Sequence, residues 1–168
     1  MPTKILRDST IVLLVRRTGP DISHVCLAMK KRGFGEGRWN GVGGKVRKDE
    51  GETIEAGAVR EAEEEIGVKI DQKDLQEVAH LRFFFPHNPD WDQRVSVFIV
   101  ESWEGEPTES EEMKPAWFRV ADIPYESMWS ADESWIPGVL GGKLFKGVFT
   151  FGEGDEVKKI KKEIVDVL

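Results

Sequence analysis

An α/β (α+β) fold, a mixed β-sheet with helices layered against it, is what this sequence predicts. Short apolar, β-branched runs recur at strand length, each closed by polar or turn residues. One segment, 53–66, carries apolar residues at helical spacing and ends on a glycine. No repeat, linker or low-complexity tract interrupts the 168 residues, so a single domain over 1–168 is expected, with enough chain to bury a real core.

The first strand is read from "STIVLLVRR", 9–17, and the second from "HVCLAMKKR", 24–32, with "TGPD" as the turn between them. The segments "LQEVAHLRFFF", 75–85, and "RVSVFIVES", 94–102, are two more strands. The prolines of "PHNPDWDQ" make the stretch between them a loop, whose His87, Asp90 and Trp91 read as surface features. "AWFRV", 116–120, and the alternating "KGVFTFG", 146–152, complete the set. In the helix, Ile54, Ala58, Ala62 and Ile66 recur every four residues, Val59 widens the stripe, and Gly67 can close it in a left-handed conformation. Residues 133–145 have the apolar content of a packed helix, which Gly141 and Gly142 weaken. The tail from 155 spaces Val157, Ile160, Ile164, Val165 and Leu168 as an amphipathic helix, although "EIVDVL" could also pair as a strand.

Composition narrows the function. The longest aliphatic run near the start, "IVLLV", is far too short to span a membrane. Lys4, Arg7 and Asp8 leave no secretory apolar core, so a cytoplasmic protein is expected. The single cysteine, Cys26, excludes an internal disulfide and reads as a small core residue. A net charge of −7 argues against stable binding to nucleic acid or acidic membranes. Yet residues 30–48 carry Lys30, Lys31, Arg32, Arg38, Lys45, Arg47 and Lys48 against one acid, Glu36. The bland reading is a solvated loop; the sharper one is a small polyanion site beside a cation site.

The cation site is read from "REAEEEIG", 60–67. Glu61, Glu64 and Glu65 fall on one helical face, bordering the apolar stripe, where like charges cost an isolated helix about 0.2–0.5 kcal/mol per pair. Arg60, four residues before Glu64, offsets part of this. A hard cation, Mg²⁺ or alternatively Mn²⁺, would offset the rest, with a phosphorylated substrate completing its coordination. His24, His80 and His87 are scattered and there is no cysteine cluster, which disfavours zinc. A merely solvated acidic face would have the same composition.

The context of that acidic run, residues 37–68, closely resembles the Nudix hydrolase signature: Glu52, seven residues, then "REAEEEIGV" without a gap. The departure is Gly44, which precedes Glu52 by seven intervening residues where the family has five, so "VRKDEG" carries two extra residues, expected to lengthen a solvent loop. The resemblance implies the Nudix α/β/α sandwich, with a loop–helix–loop catalytic motif over about 43–68. It also implies hydrolysis of a nucleoside diphosphate derivative by attack of water. Metal ligands implied are Glu61, Glu64, Glu65 and the backbone carbonyl of Gly43, with Arg60 holding the glutamates. Glu64 or Glu65 would be the base, and Glu112, from "ESEEM", is a further catalytic and metal-binding candidate.

The similarity extends beyond the signature, through "MKKRGFGEGRWNGVGGKV", "ESEEMKPAWF" and "IPYESMWSADESWIP", to the animal branch of the family that hydrolyses oxidised purine nucleoside triphosphates such as 8-oxo-dGTP and 2-hydroxy-dATP. It implies that Asn40 bonds the purine edge, Trp129 stacks on the base and Asp132 holds its other polar edge. Thr10, Lys30, Phe34, Phe83, Phe85 and Met113 would shape the pocket, and the longer loop "PHNPDWDQ" would reshape its rim without supplying ligands. That branch has two adjacent aspartates, whose differing protonation admits both oxidised bases; here Ala131 replaces the first, so a narrower or shifted base preference is expected. A monomer acting on free nucleotides is expected. The alternatives are a Nudix hydrolase of ordinary dNTPs, dinucleoside polyphosphates, capped RNA ends or ADP-ribose, a non-catalytic nucleotide-binding module, and a plain acidic interaction domain.

Overall fold

The computed structural model describes residues 6–168, so Lys4 lies outside it. The first strand, β1 (Arg7–Thr18), is buried without interruption from Asp8 to Val15. Its side chains nevertheless alternate between two cores: Ile11, Leu13 and Val15 enter one, Val12 and Leu14 the other. Burial on both faces is why this run shows no polar alternation. After a turn at Gly19 and Pro20 the chain returns as β2 (Asp21–Lys30). Then come β3 (Trp39–Asn40), helix α1 (Ile54–Ile66), β4 (Gln76–Phe84), β5 (Gln93–Val100), β6 (Met113–Arg119), the short helix α2 (Ile136–Leu140), β7 (Leu144–Phe151) and β8 (Val157–Val165).

One mixed sheet has the order β3-β2-β1-β5-β4-β7-β8, with β6 on β2. The β1–β5 and β4–β7 pairs are parallel and the others antiparallel. Ala58, Ala62 and Ile66 of α1 pack on the face carrying Val12 and Leu14. Ile136, Val139 and Leu140 of α2, with fully buried Trp135, cover the opposite face. The result is the expected layered sandwich. Cys26 is buried with Val12 and Leu14 in the core under α1, and burial pushes its thiol up to about 12, in keeping with a packing role.

The helix follows local signals. The Thr53 side chain caps it by accepting from the Ala56 N–H, and Gly67 closes it in the left-handed region at φ 71°. Two other expectations need correction. The tail is not a helix: 157–165 is β8, paired antiparallel to β7 from Phe151↔Val157 to Leu144↔Val165. Ile160 and Ile164 lie opposite Phe149 and Phe145, so pairing with an open sheet edge overrides helical spacing. Lys158, Lys159, Lys161 and Lys162 then put charge along the outermost strand, which discourages further edge pairing. Nor is 133–145 one helix. It is α-helical only at Ile136–Leu140, after a 3-10 turn at Asp132–Ser134, because the chain turns at Gly141 and Gly142 and Leu144 enters β7.

The site is positioned by a divergence between β1 and β2. They pair directly only through Leu14–Thr18 and Asp21–Cys26. Beyond that, Ala28 and Met29 pair with Asn40 and Trp39, while Val12 and Ser9 bridge to Val42 and Lys45. Residues 39–45 are therefore wedged between the two strands. Gly43 permits this: a side chain there would place its Cβ 1.9 Å from the Thr10 carbonyl oxygen.

Candidate active site

The wedge opens into a cleft of about 770 Å³ with chemically different ends. The acidic end is lined by Glu61, Glu65 and Glu112 beside Gly43 and Gly44; the aromatic end by Phe34, Phe83, Phe85, Trp91, Trp129 and Phe151. Thr10, Lys30, Asn40, Met113 and Asp132 also line it, so nearly every residue expected to bind or react with substrate borders one continuous space. Glu64 is separate: its side chain is 51% exposed and lines an adjoining hollow of about 290 Å³, shared with Glu61, Glu65, Arg32, Glu111 and Glu112. Arg60 lines neither space and acts through the acids it binds.

Arg60 is the hub of the acidic end. Its Nε and Nη2 donate to both oxygens of Glu52, at 2.7 and 2.9 Å. Nη1 donates to Glu61 at 2.9 Å and to Glu64 at 3.1 Å, and Nη2 also reaches the Lys45 carbonyl at 3.0 Å. The hydrogen bonds from Arg60 draw the Glu52 carboxyl down to about 2. One guanidinium thus ties the loop entering α1 to two acids on its face, a role for Glu52 that local charge patterning had not revealed. The inserted residues participate in the same anchoring. Lys48 ion-pairs with Asp8, a carboxylate 3% exposed at its side chain and also bound by Arg94 at 2.7 Å. Burial alone would raise Asp8, but these two cations hold it below its usual range.

Glu65 sits differently. It is 5% exposed, and the Gly43 N–H donates to its Oε2 at 3.2 Å. Burial pushes its carboxyl up to about 8, reinforced by the neighbouring charges of Glu61 and Glu112 and opposed by Gly43 and Lys30. Glu61 is pressed against backbone, since a Cβ on Gly44 would stand 2.7 Å from its carboxyl carbon. This donor set suits a divalent cation of the Mg²⁺ type: carboxylate oxygens, no histidine or cysteine along the cleft, and negative charge crowded where water is scarce. Among the described residues no three acidic, histidine or cysteine side chains already converge as a finished cation site. Lys30, Lys45 and Arg47 line the cleft near these acids and Arg7 and Arg38 line it toward the aromatic end, so positive charge fit for a polyphosphate faces the same space.

At the aromatic end, Trp129 meets the rings of Phe34, Phe85 and Phe151 at 5.1, 5.9 and 5.7 Å. The Arg38 guanidinium lies 4.1 Å from the centre of its ring. Phe85 stacks on Phe151 at 4.7 Å, and Phe83 packs beside them against Phe149 and Phe151. Asn40 Oδ1 accepts from the Gly41 N–H, which fixes the amide. Asp132 is 2% exposed; its Oδ1 accepts from the Trp135 indole at 3.2 Å, while Oδ2 has no hydrogen-bond partner. Burial raises this carboxyl to about 7, against the pull of Trp135, the Trp129 backbone and Arg38. A buried polar atom without a partner inside a cleft marks a place where a ligand group belongs.

Trp91 corrects the sequence reading. It is not a mere surface feature: it lines the cleft and packs against Phe34 at 4.8 Å and Phe85 at 5.7 Å. A large aromatic between two turn-forming stretches was the available signal. Its proline-rich surroundings predicted a loop, and one at the pocket rim, but not that Trp91 itself lines the cleft.

Comparison with known proteins agrees with this architecture. The NUDIX domain model matches residues 5–139. The chain is 46% identical to mouse oxidized purine nucleoside triphosphate hydrolase over 84% of its length and 88% of that protein's. It is 42% identical to the zebrafish protein of the same name over 95% and 96%. Among solved structures, a MutT protein from Bacillus halodurans has the same fold, with a TM-score of 0.77 at 23% identity over 94% of this chain and 98% of that one. A Burkholderia pseudomallei MutT Nudix hydrolase superposes with a TM-score of 0.60 at 23% identity, over 72% and 88%. A signature helix beside a wedge-shaped cleft and a family match across most of the residues place this chain: it belongs to the Nudix hydrolase family.

Proposed function

We propose that this protein hydrolyses oxidised purine nucleoside triphosphates, 8-oxo-dGTP and 2-hydroxy-dATP among them, to the monophosphate and pyrophosphate, and so cleans the nucleotide pool. The observation that carries this reading is the continuity of the cleft, whose aromatic end suits a flat base while its acidic end, with Lys30, Lys45 and Arg47 beside it, suits a metal-bound triphosphate. The names of the mouse and zebrafish relatives support the same substrate class. Free nucleotides in the cytoplasm, met by a monomer, are the setting proposed. The net charge of −7 weighs against a polymeric nucleic-acid partner.

In this reading Trp129 stacks on the base, and Asn40 and Asp132 bond its polar edges. Lys30 and Lys45 face the phosphates. Glu61, Glu64, Glu65, Glu112 and the Gly43 carbonyl would hold Mg²⁺ or Mn²⁺. When bound, such a cation neutralises phosphoryl oxygens and lowers the pKa of an attacking water. Glu65 is the favoured base, because it is buried in the cleft and oriented by Gly43, whereas Glu64 is half exposed and engaged by Arg60. It takes the proton as water oxygen adds to the β-phosphorus. The bond from that phosphorus to the α–β bridging oxygen breaks, so the bridging oxygen leaves with the monophosphate and the water oxygen stays in pyrophosphate.

The test is hydrolysis of 8-oxo-dGTP beside dGTP, 2-hydroxy-dATP and ADP-ribose, with and without Mg²⁺. Mg²⁺-dependent pyrophosphate release, fastest from an oxidised purine, is expected. Equal rates on dGTP and 8-oxo-dGTP, or preference for ADP-ribose, would overturn the specificity, and no turnover would overturn the enzymatic reading.

Base choice should also depend on pH. Below about 7 the Asp132 carboxyl is neutral and offers an O–H donor; above it the carboxylate only accepts. Guanine presents an acceptor at O6 where adenine presents an amino donor. The ratio of kcat/KM for 8-oxo-dGTP over 2-hydroxy-dATP is therefore expected to fall as pH rises from about 6 to about 8, in a single transition, because Ala131 supplies no second carboxyl. Asp132→Asn should flatten the profile. A ratio independent of pH in the unaltered enzyme would exclude this role for Asp132.

A further inference from the structure

We infer that Trp91, carried on the connection between β4 and β5, stacks against the substrate base and sets base preference together with Trp129; this rests on the nucleotide reading of the cleft. The Phe34 ring lies 4.8 Å from Trp91 and 5.1 Å from Trp129, tilted to both. It is also 42% exposed, unusual for a large apolar side chain in this protein. A flat ring in contact with two tryptophans and open to solvent occupies the kind of place that a flat ligand would fill. Phe34 can yield that place, because Gly33, Gly35 and Gly37 around it all have positive φ, between 82° and 84°.

Trp91 is held where such stacking needs it. The Arg7 guanidinium donates to the Asp90 carbonyl, the Trp91 N–H to the Asn88 carbonyl at 3.0 Å, and the Phe85 N–H to the Asp92 carboxylate at 2.7 Å. His87 lies 3.4 Å from Asp155, whose other oxygen is 3.8 Å from Arg38. Arg38 in turn covers Trp129. Polar ties from His87 through Asp155 and Arg38 to Trp129 thus run round the cleft mouth, alongside the aromatic contacts from Trp91 through Phe34 to Trp129. Both aromatic walls are fixed to one frame, while the ring between them sits on a glycine-rich segment. Such a slot discriminates by stacking on a face that Asn40 and Asp132, which address only the base edges, do not read.

The experiment compares Trp91→Ala, Trp91→Phe and Trp91→Leu with the unaltered enzyme. It measures kcat and KM for 8-oxo-dGTP and the calorimetric Kd of the product, 8-oxo-dGMP. Loss of one stacking partner is expected to raise KM and Kd about ten-fold in Trp91→Ala, with kcat within about two-fold. Trp91→Phe should recover most of the affinity and Trp91→Leu should not. Equal recovery by leucine would mean that Trp91 only fills space, and would overturn the inference. So would unchanged KM and Kd in Trp91→Ala while the unaltered enzyme turns over 8-oxo-dGTP normally. An unaltered enzyme that neither binds nor hydrolyses any oxidised purine nucleotide would overturn the nucleotide reading and this inference together.

Discussion

Glu65→Gln is expected to reduce hydrolysis about 10³-fold or more, within the range that a general base contributes, without unfolding the protein. The substitution keeps the side-chain volume, and the amide oxygen can still accept from the Gly43 N–H. Stability should move in the opposite direction from activity. The folded-state carboxyl sits at about 8, above its ordinary value of 4.5, because burial penalises its charge. Between those values the unfolded chain ionises this group more readily than the native protein does. Stability is therefore lost as pH rises through that window. A neutral amide removes this loss, so in the presence of chelator the variant should melt at or above the unaltered protein at pH 8, with the difference shrinking toward pH 5. Retention of a tenth of the activity would show that Glu65 is not the base, and a lower melting temperature at pH 8 would show that it is not a strained buried acid.

Arg60→Lys should have the second-largest effect despite keeping the charge. A lysine ammonium cannot grip both Glu52 oxygens while reaching Glu61, Glu64 and the Lys45 carbonyl, as the guanidinium does. Losing the bidentate bonds to Glu52 while keeping the charge costs about 1–3 kcal/mol. Misplacing the acids costs roughly 10- to 100-fold in activity, as for other residues that orient metal ligands. Urea unfolding at neutral pH measures the first and steady-state turnover the second. Acid supplies a check on the cause. Glu52 is depressed from 4.5 to about 2, so the stability it contributes with Arg60 is full above about 4.5 and lost as pH falls toward 2. The stability gap between Arg60→Lys and the unaltered protein should therefore narrow over that interval. A gap constant from pH 7 to pH 2 would mean that Arg60 acts through packing and not through Glu52.

These predictions rest on features of different legibility. The α1 helix could be read almost to the residue, because apolar residues four apart and a closing glycine are local signals. The strand runs were equally clear, since β-branched apolar segments between turns need no knowledge of their partners. The Nudix signature added the acids and the family, and the animal-branch resemblance brought in Asn40, Trp129 and Asp132, which the fold places along the same cleft as Glu61 and Glu65. The sequence by itself thus determined the helix, most strands, the family and the chemical kinds of residue available.

Long-range geometry decided the rest. The tail has helical spacing, but an unpaired edge of β7 gives its backbone more than a solvated helix could. Glu52 is eight residues removed from Arg60 in the chain, and only folding of the intervening loop makes it the first partner of that guanidinium. Trp91 has a loop-like sequence neighbourhood, and its place against Phe34 comes from the fold of the whole 86–93 connection. The titration of Glu65 and Asp132 is likewise absent from their residue type. It comes from the water that burial removes around each carboxyl and the few N–H groups and cations left to oppose that loss, quantities set by tertiary packing alone.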